Sequence, residues 1–91
     1  MEPEIRISDV VVSKAGHDQD KWFYVIGEDQ DFLLLANGKD RPLDKPKRKK
    51  LKHVSKVLRA ETRVAAKLIA GDKVLNSELR KDLAMIRQNN I

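Results

Sequence analysis

The amino-acid sequence predicts a mainly β fold, in which a small β-barrel is followed by a C-terminal two-helix hairpin. Three observations predict it: apolar runs of strand length in the first part of the chain, three glycines at intervals of eleven residues, and a later change to helical spacing. Turns spaced by about 8–12 residues are typical of an antiparallel meander, sandwich or small barrel. We therefore assign residues 1–54 to the barrel, ending in a basic strand, and residues 55–91 to a helical extension.

Three apolar runs mark the expected strands. Residues 10–12 are all valine, residues 22–26 combine aromatic and β-branched side chains, and residues 32–36 are apolar throughout. The Asn37-Gly38 pair predicts a type I′ hairpin turn, because both central positions of that turn need positive φ. Two prolines shortly afterwards restrict the next segment to an edge strand or extended chain. With about five short strands, closure into a barrel would remove most exposed sheet edges.

The apolar residues change to helical spacing after Val54. The positions that define a first helix are Val57, Ala60, Val64 and Leu68. Gly71 is expected to end this helix, and Asn76 or Ser77 can cap a second one. The apolar face of the second helix is expected to consist of Leu79, Leu83 and Ile86.

The composition limits the classes of protein that the chain can belong to. Its 91 residues are 41% hydrophobic, which is enough for one small core, and its formal net charge is +5. The absence of cysteine excludes disulfide scaffolds, cysteine-based zinc sites, thiol catalysis and iron–sulfur clusters. No secretory signal pattern is present, and the apolar runs are far shorter than the roughly 18 residues that a membrane span needs. We expect a cytoplasmic monomer that does not bind membranes.

Residues that could carry out catalysis are few. His17 and His53 stand far apart, with no cysteine to join them, so polar turn residues are a simpler interpretation than a metal site. No glycine-rich phosphate-binding pattern occurs, and Ser13 lacks the elbow and oxyanion arrangement of a catalytic nucleophile. We therefore expect a protein that is not an enzyme and that holds no cofactor or metal.

The charge is distributed unevenly along the chain. Residues 1–38 carry three bases and eight acids, residues 39–53 carry eight bases and two acids, and residues 54–91 carry eight bases and four acids. An acidic first part joined to a basic block indicates a molecule that presents one face to a polyanion.

The basic block from Lys45 to His53 is the most distinctive segment, because six of its nine residues are cationic at neutral pH. Cations near phosphates release condensed counterions, so such a block favours nucleic acid in a salt-dependent way. The alternative interpretations are a solvated linker and a fortuitous localisation-like run. The position of the block beside a predicted barrel, after Lys39 and Arg41, favours nucleic acid.

Residues 8–21 read Ser-Asp-Val-Val-Val-Ser-Lys-Ala-Gly-His-Asp-Gln-Asp-Lys and resemble the KOW motif, a strand–loop–strand element used for RNA binding. Together with the Asn-Gly pair, the stretch Arg41-Pro42-Leu43 and the basic block, this order of motifs resembles one family. It is the KOW-domain ribosomal-protein group usually labelled fourteen-e/six-e/twenty-seven-e, in its short bacterial form. The resemblance covers about residues 5–54.

The resemblance implies an SH3-like barrel that binds RNA in or near the ribosome, through the KOW loop and basic extensions. The RNA-binding residues that it implies are Lys14, Gly16, His17, Lys21, Lys39, Arg41, Lys45, Lys47, Arg48, Lys49, Lys50, Lys52 and His53. The motif usually has a basic residue and then glycine after the loop aspartate, where this chain has Gln19 and Asp20. This difference places a negative charge in the loop and shifts the expected binding towards the basic block.

Trp22 has two interpretations. Its side chain can stack on an unpaired base, which is a common means of RNA binding. It can also belong to the core, because a chain with only four aromatic residues is expected to use them mainly for packing. The helical tail is similarly open. Its basic residues Arg59, Arg63, Lys67 and Lys73 can extend an RNA surface or form the solvated side of a packed hairpin.

The leading hypothesis is a non-enzymatic RNA-binding protein, associated with the ribosome or translation and able to contact ribosomal proteins. The alternative is a protein–protein adaptor in a transcription or translation complex, since KOW and SH3-like barrels also dock proteins and a fold does not fix a function. A DNA-binding module is weaker, because no recognition-helix pattern occurs.

Overall fold

The structure is a computed structural model and describes residues 4–90. Five strands form one antiparallel sheet, and two helices follow them. The strands are β1 (Asp9–Ser13), β2 (Trp22–Asp29), β3 (Phe32–Ala36), β4 (Lys47–Lys50) and β5 (Val54–Arg59). The helices are α1 (Arg63–Ala70) and α2 (Asn76–Asn89). The mainly β class with two C-terminal helices is confirmed, and the predicted strands at residues 10–12, 22–26 and 32–36 lie in β1, β2 and β3.

The strand order is β4-β3-β2-β1-β5. The last strand therefore returns to lie beside the first, with Ser13 opposite Val54 and Asp9 opposite Arg59. β2 is the central strand and pairs with both β1 and β3. Backbone pairing leaves β4 and β5 at the two edges, so the sheet is not closed into the barrel that the sequence analysis expected.

Both faces of β2 are buried, because its side chains alternate between two hydrophobic clusters. On one face a helix-side cluster joins the sheet to both helices, and its buried members are Val10, Tyr24, Ala36, Ala60, Val64, Ala65, Leu79, Leu83 and Ile86. On the other face an inner cluster consists of Val11, Phe23, Val25, Leu33, Leu35 and Val54. The sheet thus encloses apolar residues on the side away from the helices as well. The predicted apolar face of the second helix is confirmed.

A polar connection crosses the helix-side cluster. The Tyr24 hydroxyl donates a hydrogen bond to Asp82 in α2 and lies 3.2 Å from the Thr62 hydroxyl, which donates to the same carboxylate at 2.8 Å. Thr62 is also the N-cap of α1, where its hydroxyl accepts a hydrogen bond from the Ala65 backbone N–H at 3.1 Å. Burial, followed by the hydrogen bond to Asp82, raises the pKa of Tyr24 above its ordinary value. One phenol therefore links the sheet to both helices.

The helical spacing predicted from Val57 onwards begins too early. Val57 and Leu58 lie in β5, and the first helix starts only at Arg63. Pairing with β1 determines the structure of this segment, and Thr62 caps the helix that follows. The fifth strand therefore extends beyond residue 54. Gly71 ends α1 as expected, with a φ of 75° in the left-handed region.

The Asn37-Gly38 pair does not form the expected type I′ turn, because only Gly38 has positive φ. The Asn37 side-chain oxygen instead accepts hydrogen bonds from the backbone N–H groups of Lys39 and Arg41, each at 3.0 Å. These bonds stabilise a wider loop, residues 37–46 between β3 and β4, which we call the wide loop. This loop packs on α2. A Cβ at Gly38 would stand 2.2 Å from the Asn76 carbonyl oxygen, so glycine is required there.

The start of α2 differs from the prediction as well. Leu75 occupies the N-cap position, and its backbone N–H donates to the Glu78 carboxylate at 3.1 Å. The Asn76 side chain, which was expected to cap the helix, accepts a hydrogen bond from the Leu43 N–H at 2.8 Å. This contact ties the wide loop to the helix. Neither helix of the described residues is long and apolar enough to cross a membrane.

Candidate nucleic-acid interface

The cations of β4 alternate between the two faces of an edge strand. Arg48 and Lys50 are exposed and flank the ring of Phe32, with the Arg48 guanidinium carbon 3.9 Å and the Lys50 Nζ 5.9 Å from the ring centroid. Lys49 points the other way and is only 8% exposed, and its Nζ donates to the Ala15 carbonyl oxygen at 2.5 Å. Lys49 therefore holds the β1–β2 loop in place and is not part of the open surface.

The β1–β2 loop, which we also call the KOW-like loop, lies beside the basic block in the structure. Besides the contact from Lys49, the Lys14 backbone N–H donates to the His53 carbonyl oxygen at 2.8 Å. Lys14 and Lys52 line a common groove of about 290 Å³ together with Val54. The two segments that the sequence analysis proposed as RNA-binding elements therefore form one continuous surface.

The β1–β2 loop contains two residues in the left-handed backbone conformation. Gly16 has a φ of 77° and begins a short 3-10 turn, Gly16–Asp18, on which His17 is exposed. Asp20 has a φ of 71°, so this residue adopts the left-handed conformation where the family motif usually has glycine. Asp20 therefore carries some backbone strain, and it places an exposed carboxylate in the loop.

Two of the expected RNA-binding cations are held by carboxylates. Arg41 Nη2 lies 3.1 Å from Asp18, whose side chain is 4% exposed, and Lys21 Nζ lies 2.5 Å from Asp40. The hydrogen bonds from Lys21 and from Asn37 lower the pKa of Asp40 to about 2, so this carboxylate is charged at neutral pH. Lys21 and Arg41 thus join the β1–β2 loop to the wide loop, and each already has a carboxylate partner.

The other predicted cations extend into solvent. Within residues 4–90, no carboxylate lies within ion-pair distance of Lys14, Lys39, Lys45, Lys47, Lys50 or Lys52. All of these lysines are exposed except Lys47, which is half-buried. Arg48 pairs with Asp29 at 3.1 Å, but both side chains are about half exposed, so water screens that pair strongly. We call residues 45–52, apart from Lys49, the basic edge.

A second cationic surface lies between the wide loop and α2, and the sequence analysis missed most of it. An open cleft of about 560 Å³ is lined by half-buried Trp22, by Lys39 and by Arg80 and Arg87 of α2. The Arg87 guanidinium carbon lies 5.6 Å from the Trp22 ring centroid, and Arg80 donates to the Gly38 carbonyl oxygen at 3.1 Å. We call this the Trp22 cleft. Arg80 and Arg87 are seven residues apart, which places them on one face of a helix, and this spacing could have predicted the helical side of the cleft.

Metal-binding residues do not converge in the part of the chain that the structure describes. No three His, Cys, Asp or Glu side chains of residues 4–90 are placed to hold a metal ion. His17 lies on the 3-10 turn of the β1–β2 loop, and His53 lies at the end of the 3-10 turn Leu51–His53.

Comparison of the chain with protein-family models and with curated proteins gave no match.

Proposed function

We propose that this protein is a non-enzymatic RNA-binding protein that contacts phosphates through the basic edge and the neighbouring KOW-like loop. The observation that carries the proposal is a difference among the predicted RNA-binding cations: Lys21 and Arg41 have carboxylate partners, whereas several others have none within residues 4–90. Lys45, Lys50 and Lys52 are exposed and have no carboxylate partner within residues 4–90, and Lys14 lines a groove together with Lys52. Lys45 precedes β4, Lys50 ends it, and Lys52 lies in the 3-10 turn that follows. Lysines without a carboxylate partner supply the sequence-independent attraction that dominates nucleic-acid affinity.

The fold that we propose for this function is an SH3-like barrel of the KOW ribosomal-protein group named above. In support, β5 returns to pair with β1, and the inner cluster fills the side of the sheet away from the helices. The two edge strands, β4 and β5, are separated along the chain only by the 3-10 turn Leu51–His53, which supports a barrel-like arrangement. The ribosome, or another RNA of the translation apparatus in the cytoplasm, is the proposed partner because of the motif order.

The salt dependence of RNA binding tests the role of the basic edge. Changing Lys45, Lys50 and Lys52 to alanine removes three phosphate contacts, so the slope of log K against log salt should become shallower by about 2–3. The measurement is fluorescence anisotropy of a labelled structured RNA over a range of salt concentrations. An unchanged slope would overturn the assignment to this strand.

A second triple variant provides a control of equal charge. Arg63, Lys73 and Lys81 are exposed on or between the helices and also have no carboxylate within ion-pair distance in residues 4–90. Changing these three residues to alanine lowers the net charge by the same amount. If bulk charge alone attracts RNA, both triple variants will shift the slope equally, and a specific basic edge is then excluded.

Sedimentation of cell lysate on a density gradient tests association with the ribosome. We expect the protein to migrate with ribosomes or with one subunit at moderate salt and to be released by nuclease. Migration as a free small protein at every salt concentration would contradict the ribosomal assignment. Retention in a large complex after nuclease treatment and at high salt would instead indicate the adaptor function.

A further inference from the structure

The Trp22 cleft is separate from the basic edge but is connected to it through the β1–β2 loop. Lys14 and Ala15 at the start of this loop contact the basic strand and its continuation, whereas Lys21 and Trp22 at its end line the cleft. A nucleic-acid chain that lies on the basic edge can therefore follow the loop to the cleft.

The chemistry of the cleft differs from that of the basic edge. It combines the chain's only tryptophan with four basic side chains and one acidic side chain, Asp40, which Lys21 neutralises. Lys39, Arg80 and Arg87 have no carboxylate within ion-pair distance in the described part of the chain. The floor next to Trp22 contains the apolar residues Leu83 and Ala84 of α2.

An aromatic and apolar floor with cations at its rim suits a nucleotide. The base can stack on an indole or lie against aliphatic side chains, while the phosphate meets arginine and lysine. The cleft is open and has a volume of about 560 Å³, so a nucleotide can enter it from solvent. Paired bases are stacked inside a duplex, so only the base of an unpaired nucleotide could reach the floor of the cleft.

We propose that the Trp22 cleft binds one unpaired nucleotide of the RNA held on the basic edge, with its base against Trp22 and its phosphate near Lys39 and Arg87. This inference rests on the proposed RNA-binding function and adds to it a preference for RNA with an unpaired nucleotide. It gives α2, which lies outside the region of family resemblance, a direct role in binding.

Intrinsic fluorescence tests the inference directly, since Trp22 is the only tryptophan. A single-stranded oligoribonucleotide should quench the emission saturably, whereas inorganic polyphosphate and a fully paired RNA duplex should bind without comparable quenching. Equal quenching by polyphosphate or duplex would overturn base stacking. Quenching by free adenosine monophosphate at lower concentrations than by the oligonucleotide would overturn the RNA source and indicate a free-nucleotide site.

Charge variants provide a test that keeps the reporter. Lys39→Gln with Arg87→Gln should weaken single-strand binding by roughly five-fold or more, while duplex binding changes much less. The control pair Arg63→Gln with Lys81→Gln has the same change in charge on exposed positions and should leave the single-strand preference unchanged. Equal effects of the two pairs on single strand and duplex would contradict the inference.

Anisotropy of labelled RNA separates the two possible failures. If RNA binds with the expected salt slope but without Trp22 quenching, the cleft proposal is wrong and the basic edge stands. If neither the single strand nor the duplex binds at all, the proposed function is wrong and the cleft proposal fails with it.

Discussion

The two edges of the sheet both carry cations, but they use them differently. At the β5 edge, Lys56 and Arg59 lie 3.3 and 3.6 Å from the carboxylate of fully buried Asp9 in β1. At the β4 edge, Lys50 extends into solvent, and within the described residues it has no acidic partner. The number of cations in a segment therefore does not show whether they are available to a ligand, because a buried carboxylate already holds those of the β5 edge.

The largest effect is expected at the neutralised edge. Asp9→Ala removes the partner of Lys56 and Arg59 and the acceptor of the Arg6 backbone N–H, which donates to it at 2.8 Å. Because the partly buried Arg6 N–H and Lys56 ammonium both lose a charged acceptor, the free energy of unfolding should fall by about 2 kcal/mol. Urea denaturation measures it.

Asp29→Ala is the control for this change. It breaks the pair with Arg48 at the other edge, where both side chains are about half exposed, so its effect should stay within about 0.5 kcal/mol. Equal losses for Asp9→Ala and Asp29→Ala would mean that the two edges do not differ as described.

A reciprocal pair of double variants sharpens the comparison between held and free cations. Lys21→Ala with Arg41→Ala should lower the free energy of unfolding by about 1 kcal/mol, because nearly buried Asp18 loses its cations, and should barely change the salt slope of RNA binding. Lys50→Ala with Lys52→Ala should keep the stability and make the slope shallower by about 1.5. If the first double variant flattened the slope as much as the second, ion pairing would not predict which cations bind.

A smaller effect is expected at Asp20 in the β1–β2 loop, which has no ion-pair partner within residues 4–90. Asp20→Gly relieves the left-handed backbone at a φ of 71° and should raise the free energy of unfolding by about 0.5 kcal/mol. Asp20→Asn also removes the charge but keeps a side chain. Both variants should therefore gain modestly in RNA affinity, whereas only Asp20→Gly should gain in stability. Loss of RNA affinity in both would show that the carboxylate assists binding.

The smallest effect concerns pH. The pKa of Asp40 is lowered to about 2 by Lys21 and Asn37, so its contribution to stability is complete above about pH 4 and is lost as the pH falls through 2. Both side chains of the Lys21 pair are more than 40% exposed, so the contribution should be below about 0.5 kcal/mol. NMR titration of Asp40 in the wild type and in Lys21→Met measures the shift, and an identical pKa in both would refute the pairing.

The sequence predicted elements whose signal is local. The β-branched and aromatic run at residues 22–26 became the central strand, and Leu79, Leu83 and Ile86 became the buried face of α2. Val57 and Leu58 were misassigned, since pairing with β1, more than forty residues earlier, decides their structure.

The candidate site was predicted in part. The basic block and the KOW-like loop were selected from the sequence, but the burial of Lys49 follows from strand alternation, which the block's uniform charge obscured. The Trp22 cleft joins residues 22, 39, 80 and 87, and no local pattern connects positions so far apart.

The hydrogen bond from Tyr24 to Asp82 has a consequence for how the protein is made. It joins residues 58 positions apart, and the surrounding apolar face of the sheet is covered by Leu79, Leu83 and Ile86. A growing chain emerges from its N-terminus, so this face of β2 has no cover until α2 has been translated. The helix-side cluster can therefore form completely only after α2 has been synthesised.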